Sequence, residues 1–343
     1  MNDELKFTVI SDTHYYSKKN FVDGFDKNKK PKPGQLFFSR SEEIVEHTFD
    51  CLCKNDTPDI VLISGDLTYN GERTSHDEMK AALKKLQQKG KRVYVITATH
   101  DYTTPRMPTY GIDKNDKYIE VESVNRTQLL KYYGDFGYNN AIAKHKSTMS
   151  YVGELADGYR LFALNDDYGD PDCGFSDELM NWVKTEANNA KRDGQYIIAM
   201  THHPLVPPSP IYAAVAKGDM LNEYELRRNQ LSDLGFDFVL TGHTHMHNIS
   251  YCKIGNKKFY DISTAALTGF PPYYRQIVLN KEQKKAEIKT ICADCADSID
   301  TNGLALEEYT KDLFLGVVSK ALYDAEYDYD NFADFAVGMS ISK

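Results

Sequence analysis

The sequence predicts an α/β protein organised around parallel strands. Three observations carry this. Short apolar runs alternate with amphipathic helical segments, in the order strand, helix, strand, helix, strand, which implies parallel pairing with right-handed crossovers. Each of these runs ends in a polar cluster of Asp, His, Gly or Thr. In such sheets ligands bind at the carboxyl ends of strands. The 343 residues are ample for a large buried core.

The elements read as follows. Residues 7–11 form an apolar strand ending at Asp12-Thr13-His14. A Lys- and Pro-containing loop follows. Ser39-x-x-Glu42 then has the form of a capping box, opening a helix with Ile44, Val45, Phe49 and Leu52 on one face. Residues 59–64 form a second strand, ending at Gly65-Asp66. Ser75-x-x-Glu78 opens a helix through Met79, Leu83 and Leu86, closed by Gly90. Residues 92–97 form a third strand, ending at Ala98-Thr99-His100-Asp101. Residues 102–147 are irregular and read as an excursion over the active face, with one helix near 122–133. Runs at 149–155 and 159–164 flank Asp157-Gly158 and form a hairpin. Ser176 caps a helix containing Leu179, Trp182, Val183 and Ala187. Residues 196–200 form a strand ending at Thr201-His202-His203-Pro204. Asn222-x-x-Glu225 opens a helix that closes at Gly235, and residues 236–240 form the strand before Thr241-Gly242-His243-Thr244-His245-Met246-His247. Further strands are expected at 258–263, 276–280 and 285–292. Residues 304–324 are helical by pattern, with Leu306, Tyr309, Leu313, Val317 and Leu322 as the apolar stripe. The organisation expected is one domain over 1–298 and a C-terminal helical segment over 299–343.

Composition narrows the function. A net charge of −9 argues against a nucleic-acid polymer or an anionic membrane as partner, since either needs a basic face. It leaves room for a small anionic substrate, because bound cations invert the local field. No stretch approaches the ~20 apolar residues of a membrane helix, and the N-terminus lacks a basic segment followed by an apolar one. The six Cys include Cys292-x-x-Cys295 with no second pair at zinc-site spacing, so they read as reduced thiols in a cytoplasmic protein. The oligomeric state is left open.

The chemistry lies in the strand-end clusters. His243, His245 and His247 are spaced by two, as are Asp12 and His14, so alternate side chains share a face in extended backbone. Together with Asp66, His100, Asp101 and His202 they form a mixed carboxylate–imidazole set. Such donors suit Mn, Fe, Zn or Co better than Ca or Mg. The set is too large for one tetrahedral ion, and two ions sharing a bridging carboxylate fit it better.

The ordered motifs Asp12-x-His14, Gly65-Asp66, His100-Asp101, His202-x-Pro204 and Gly242-His243-x-His245 resemble the calcineurin-like metallophosphoesterase superfamily, over roughly residues 5–290. Residues 65–79 further resemble the bacterial branch containing class III cyclic-nucleotide phosphodiesterases. The resemblance implies a four-layer α/β/β/α sandwich with two mixed central sheets. It implies that Asp12, His14 and His245 hold one divalent transition-metal ion, that Asp66 bridges, and that His202 and His243 hold the second. His100, oriented by Asp101, would assist the leaving oxygen while a hydroxide between the metals attacks phosphorus. His202, two residues before Pro204, is the ligand by this pattern; His203 is expected either to support the ligands or to face substrate, and Asn70 and Tyr102, which flank the motifs, are expected to touch substrate. His247 falls outside the ligand set, at the rim, and His47, His76 and His145 are ordinary polar residues. One position departs: the family's Gly-Asn-His-Asp is Ala98-Thr99-His100-Asp101 here. Thr99 replaces an Asn ligand, which implies a weakened second metal site. The implied activity is hydrolysis of a small phosphorylated substrate, cyclic nucleotides first and other phosphodiesters next. The alternative is a catalytically impaired relative that binds metal or phosphate as a sensor or scaffold.

Overall fold

The alternation of apolar runs and helices resolves into two mixed sheets packed face to face. The computed structural model describes residues 4–26, 34–54, 56–167, 173–209, 212, 216–294, 299 and 301–324. The first sheet takes β1 (Glu4–Ile10), β2 (Ile60–Ser64), β3 (Arg92–Ile96), β13 (Tyr273–Asn280) and β14 (Lys285–Cys292) in the order β14-β13-β1-β2-β3. Its strands β1, β2 and β3 are parallel, while β13 and β14 add antiparallel on the β1 side. The second sheet runs β11-β12-β10-β9-β8-β7-β6. It comprises β6 (Ala143–His145), β7 (Ser150–Ala156), β8 (Tyr159–Ala163), β9 (Tyr196–Met200), β10 (Phe238–Thr241), β11 (Asn248–Ile254) and β12 (Lys257–Ser263). Here β8, β9, β10 and β12 are parallel, and β6, β7 and β11 complete the edges antiparallel.

The period-two pattern shows why the second sheet is covered on both sides. Leu161, Ala163, Ile198, Met200, Phe238 and Leu240 join the core that contains β1, β2 and β3. Their chain neighbours Phe162, Ile197, Ala199 and Val239 join a second core with α4 (Asp177–Arg192) and α5 (Tyr224–Asp233), through Leu179, Val183, Ala187 and Leu231. The outer face of the first sheet is closed by α1 (Ser41–Leu52) and α2 (Arg73–Gln88), which bury Ile44, Phe49, Met79, Leu83 and Leu86. The result is the expected α/β/β/α sandwich. Each fully buried aliphatic or aromatic side chain contributes about 1.5–3 kcal/mol to holding these layers together.

Several local expectations shift. The two N-terminal capping boxes do not form. Ser39 lies in a 3₁₀ turn before α1, and Ser75 sits two residues inside α2. The Ser75 hydroxyl instead accepts hydrogen bonds from Ser17 N and Asn20 Nδ2 at 3.1 Å each, so a loop contact takes the group a cap would need. The helix expected from Asn222 begins at Tyr224, after Glu223 in left-handed backbone. Ser176 does cap α4, accepting from Leu179 N at 3.2 Å. In the excursion, the helix expected near 122–133 shrinks to α3 (Leu129–Tyr133) after a 3₁₀ turn, and a small β4 (Gly111–Ile112)–β5 (Tyr118–Ile119) ladder appears. The expected strands at 258–263 and 276–280 extend, and β11 was not anticipated. It forms a hairpin with β12 across Gly255.

The C-terminal α6 (Leu306–Asp324) packs on the sandwich. Leu306 joins the main core, Tyr309 and Leu313 lie against it, and Phe314 stacks on Phe270 at 5.6 Å. The Leu322 side chain of the expected stripe is not described, and Cys295 lies outside the described residues. Among the described residues no helix is long and apolar enough to cross a membrane, and Cys51, Cys53, Cys173, Cys252 and Cys292 are free.

Candidate metal centre

Parallel β1, β2 and β3 in one sheet and β9 and β10 in the other all deliver their carboxyl ends to the same edge of the sandwich. The loops leaving them are tied together by backbone bonds. Asp12 N donates to Gly65 O at 3.2 Å, His14 N to Asp66 O at 3.0 Å, and Gly242 N to His202 O at 3.0 Å. Two glycines permit this close approach. At Gly65, φ is +104°, and a Cβ would lie 2.7 Å from His202 Nδ1. At Gly242 a Cβ would overlap Ser11 Oγ and Asp12 Oδ2.

Five of the expected ligands adopt left-handed backbone: Asp12 (φ 50°), His14 (37°), Asp66 (51°), His243 (63°) and His245 (57°). For a non-glycine residue this costs on the order of 1–3 kcal/mol and persists where the surroundings over-determine it. Its concentration on one set of side chains marks a site built for geometry over local stability.

The side chains converge. Asp12, His14 and His245 bring one donor atom each within 4.8 Å of one another, as do Asp66, His202 and His243, and as do His14, Asp66 and His100. His14 Nε2 and His245 Nε2 stand 3.2 Å apart, and Asp12 Oδ1 lies 3.7 Å and 3.4 Å from them. Asp66 Oδ2 lies 3.1 Å from His202 Nε2 and 3.8 Å from His14 Nε2. Atoms each about 2.1 Å from a common ion stand roughly 3.0–3.4 Å apart, so these spacings approximate the edges of a coordination polyhedron. Asp66 belongs to two of the three groups, the position a bridging carboxylate needs.

Each donor is aimed by its other atom. Asp12 Oδ2 accepts from Ser11 Oγ and from His243 N at 3.1 Å, leaving Oδ1 toward the cluster. Asp66 Oδ1 accepts from His100 N at 3.0 Å, leaving Oδ2. His202 Nδ1 donates to Ser64 O at 2.8 Å, which turns Nε2 toward the cluster. Asp12 Oδ1 and His202 Nε2 are fully buried with no hydrogen-bond partner among the described residues. Such orphans are costly unless something fills the gap. Neither Asp12 nor Asp66 meets a Lys or Arg in the ion pairs of the described residues. A divalent cation answers both deficits, so the residues fit the implied metal.

Electrostatics agree. Burial alone would raise the Asp12 carboxyl, but His202, His14 and His245 outweigh it and hold it far below the usual range. Asp66 is likewise held low by His202 and His100 against its burial. Burial lowers His14 to about 4 and lowers His243 strongly, with His203 and His202 adding to the effect. His202 opposes its own burial and is raised by Asp66 and Asp12. The pocket thus contains ionised carboxylates and imidazoles that compete for the proton a metal would displace.

The remaining expected residues separate. His100 sits with its ring 4.8 Å from that of His14, and its Nδ1 donates to Tyr69 O at 2.6 Å and toward Asn70 Oδ1 at 2.9 Å. Orientation by Asp101 is therefore corrected. The Asp101 carboxylate accepts from Thr68 N and Ala98 N, both at 2.9 Å, and shapes the turn below His100 instead of touching its ring. Burial and the charge of Asp66 raise Asp101. Asn70, expected against substrate, is 7% exposed and steadies His100. Tyr102 is mostly buried and receives a hydrogen bond from Arg126 Nη2 at 2.6 Å. His203 is buried, donates from Nδ1 to Asp166 Oδ1 at 3.1 Å, and lies 4.0 Å from the His243 ring. Thr99 begins the 3₁₀ turn Thr99–Asp101, half-buried and adjacent in chain to His100. His247 is not at a solvated rim. It is buried, with Nε2 3.0 Å from Thr290 Oγ1. His76 is also structural, donating from Nε2 to Asp101 O at 3.0 Å and accepting from Tyr133 at Nδ1.

Asp166 was missed. Its Oδ2 accepts from Thr201 Oγ1, His202 N and His203 N at 2.7–3.1 Å, so it shapes the turn that carries His202. The signal was present: Asn165-Asp166-Asp167 follows the 159–164 strand as the other clusters follow theirs.

Residues 5–247 match the family model described as calcineurin-like phosphoesterase. No curated protein sequence matches the chain. Among solved structures, a dimetal phosphatase from Danio rerio aligns at a TM-score of 0.55 and 12% identity, over 84% of this chain and 99% of that one. A phosphopantetheinyl hydrolase from Mycobacterium tuberculosis aligns at 0.39 and 11% identity, over 86% and 99%. At that identity the first shows a shared fold and no more. The family match spans most of the chain and includes all five strand-end motifs, so the chain belongs to the calcineurin-like phosphoesterase family.

Proposed function

We propose that the chain is a metal-dependent phosphodiesterase that uses two divalent transition-metal ions and acts on cyclic nucleotides or other small phosphodiesters. The observation that carries the reading is the double membership of Asp66. One buried carboxylate belongs to a donor group with His14 and His100 and to another with His202 and His243, while Asp12 and His245 form a third group with His14. When bound, the ions supply activation of water and neutralisation of charge on the phosphoryl oxygens. The protein's own part is positional. Asp12, Asp66 and His202 are locked by Ser11, His243 N, His100 N and Ser64 O. His100 donates from Nδ1 to Tyr69 O, and a second proton carried on its Nε2 would pass to the leaving oxygen. His203, pressed on His243, braces the second group.

With Mn²⁺ added, the protein is expected to hydrolyse bis-p-nitrophenyl phosphate, to lose the activity in a chelator and to regain it on resupply. No turnover with any of Mn²⁺, Fe²⁺ or Zn²⁺ would favour the sensor or scaffold reading that Thr99 suggests. A second prediction concerns Asn70. Asn70→Ala leaves His100 with the Tyr69 carbonyl alone, so kcat is expected to fall roughly tenfold with metal content preserved. An unchanged kcat would remove Asn70 from the positioning of His100.

A further inference from the structure

Glu72 is a buried carboxylate outside the metal centre. It is fully buried, and neither of its oxygens has a hydrogen-bond partner among the described residues. It occupies the N-terminal cap position of α2, yet its side chain caps nothing. A buried, unpaired carboxylate is costly to keep.

The turn that leads into Glu72 carries both acceptors of His100. Tyr69 O and Asn70 Oδ1 lie 2.6 Å and 2.9 Å from His100 Nδ1. The excursion between β3 and β6 clamps this turn from outside. Val124 N donates to Gly71 O at 2.9 Å, Arg73 N to Glu122 O at 2.9 Å, and Thr109 Oγ1 to Asn70 O at 2.5 Å. At Gly71 a Cβ would lie 2.7 Å from Tyr102 Cα, so the strap lies directly on the turn. From inside, the turn meets the Glu72 carboxylate. The N–H groups of Glu72, Asn70 and Tyr69 and the Ser75 hydroxyl favour its ionised form. Ser75 Oγ accepts from Ser17 N and Asn20 Nδ2, which leaves its one proton for Glu72.

The other groups around Glu72 are neutral or already paired. Tyr16, from the loop after β1, and Tyr69 are raised by burial, and the Glu72 charge raises them further. Arg73 Nε lies 2.7 Å from Glu122 Oε2, and His76 is bonded to Tyr133 and to Asp101 O. Burial therefore dominates and pushes the Glu72 carboxyl up to about 7. Its charge changes near neutrality, and with it the pull on the N–H groups of Tyr69 and Asn70.

Resting on the phosphodiesterase reading, we infer that Glu72 is a positioning residue: its ionised carboxylate tightens the Tyr69–Asn70 turn and so sets the His100 ring, and its neutral form lets the turn relax. Positioning then improves as pH rises through neutrality.

The test compares wild type with Glu72→Gln, which keeps the shape of the side chain and stays neutral. On the alkaline side of neutrality, kcat for bis-p-nitrophenyl phosphate with Mn²⁺ is expected to be roughly tenfold lower in Glu72→Gln, and on the acid side the two proteins are expected to match. A loss of the same size at every pH is what plain structural support would give, and it overturns the inference. A second measurement needs no turnover. In the Zn²⁺-loaded full chain, the backbone amide of Asn70, followed by ¹⁵N NMR, is expected to shift with an inflection near neutrality in wild type and to stay level in Glu72→Gln. No inflection in wild type, or the same inflection in both proteins, also overturns it. The inflection in a protein that does not hydrolyse bis-p-nitrophenyl phosphate retains the hold of Glu72 on the turn and removes only the hydrolytic reading.

Discussion

Asp66→Asn is expected to lower kcat/KM for a phosphodiester by roughly 10³-fold or more, equivalent to about 4 kcal/mol of transition-state stabilisation. Asp66 Oδ1 accepts from His100 N, and Oδ2 lies between His14 and His202. In the amide, the oxygen is drawn to the His100 N–H and the NH₂ is turned toward the imidazoles. An NH₂ group cannot ligate a cation. The variant therefore loses the shared donor while keeping nearly the same volume in a site that is 1% exposed. Metal content should fall together with activity. Wild-type turnover and wild-type metal content in this variant would show that Asp66 is not the shared ligand.

Gly242→Ala has the second largest expected effect. A methyl group there would overlap Ser11 Oγ and Asp12 Oδ2, the atoms that aim Asp12. Ser11 is itself held by Ser64 Oγ at 2.8 Å, and Asp12 Oδ2 by His243 N, so neither can retreat without disturbing a neighbour. Overpacking of this kind costs about 1–3 kcal/mol. Displacing a group that orients a ligand weakens metal binding by roughly 10–100-fold. Gly218→Ala is the control, because a Cβ at Gly218 has no heavy atom within 4 Å. Thermal unfolding and Mn²⁺ titration of the two variants separate the cases. Equal metal affinity in Gly242→Ala and Gly218→Ala would contradict the aiming role of the Ser11–Asp12 contact.

Much of the sandwich was legible because burial writes a periodic signature. Runs such as 60–63 and 197–200 are apolar throughout, as strands covered on both faces must be. The donor set was legible because metal chemistry restricts residue type and because the fold places donors just after strands. What stayed hidden depends on contacts between distant segments. Ser75 has the spacing of a helix cap, but Ser17 and Asn20 take its hydroxyl. Asp101 is adjacent in chain to His100, yet the turn geometry sends its carboxylate to Thr68 and Ala98 and leaves His100 to Tyr69 and Asn70. The structural roles of His76 and His247 depend on partners far away in sequence, Tyr133 and Thr290. Asp166 and β11 were missed for another reason: both signals were present, a polar triplet after a strand and an alternating run before Gly255, and went unweighed.

Two neighbouring metal positions sharing Asp66 are expected to differ in strength, because Thr99 stands where an Asn ligand is expected. Calorimetric titration of the metal-free protein with Mn²⁺, in parallel for wild type and Thr99→Asn, tests it most directly. The expected wild-type isotherm has one tight step and one weaker step, and the expected Thr99→Asn isotherm has its second step strengthened by roughly tenfold or more. Two equally tight steps in both proteins would contradict the weakened second site. A wild-type protein that takes up no metal would contradict the metal centre itself.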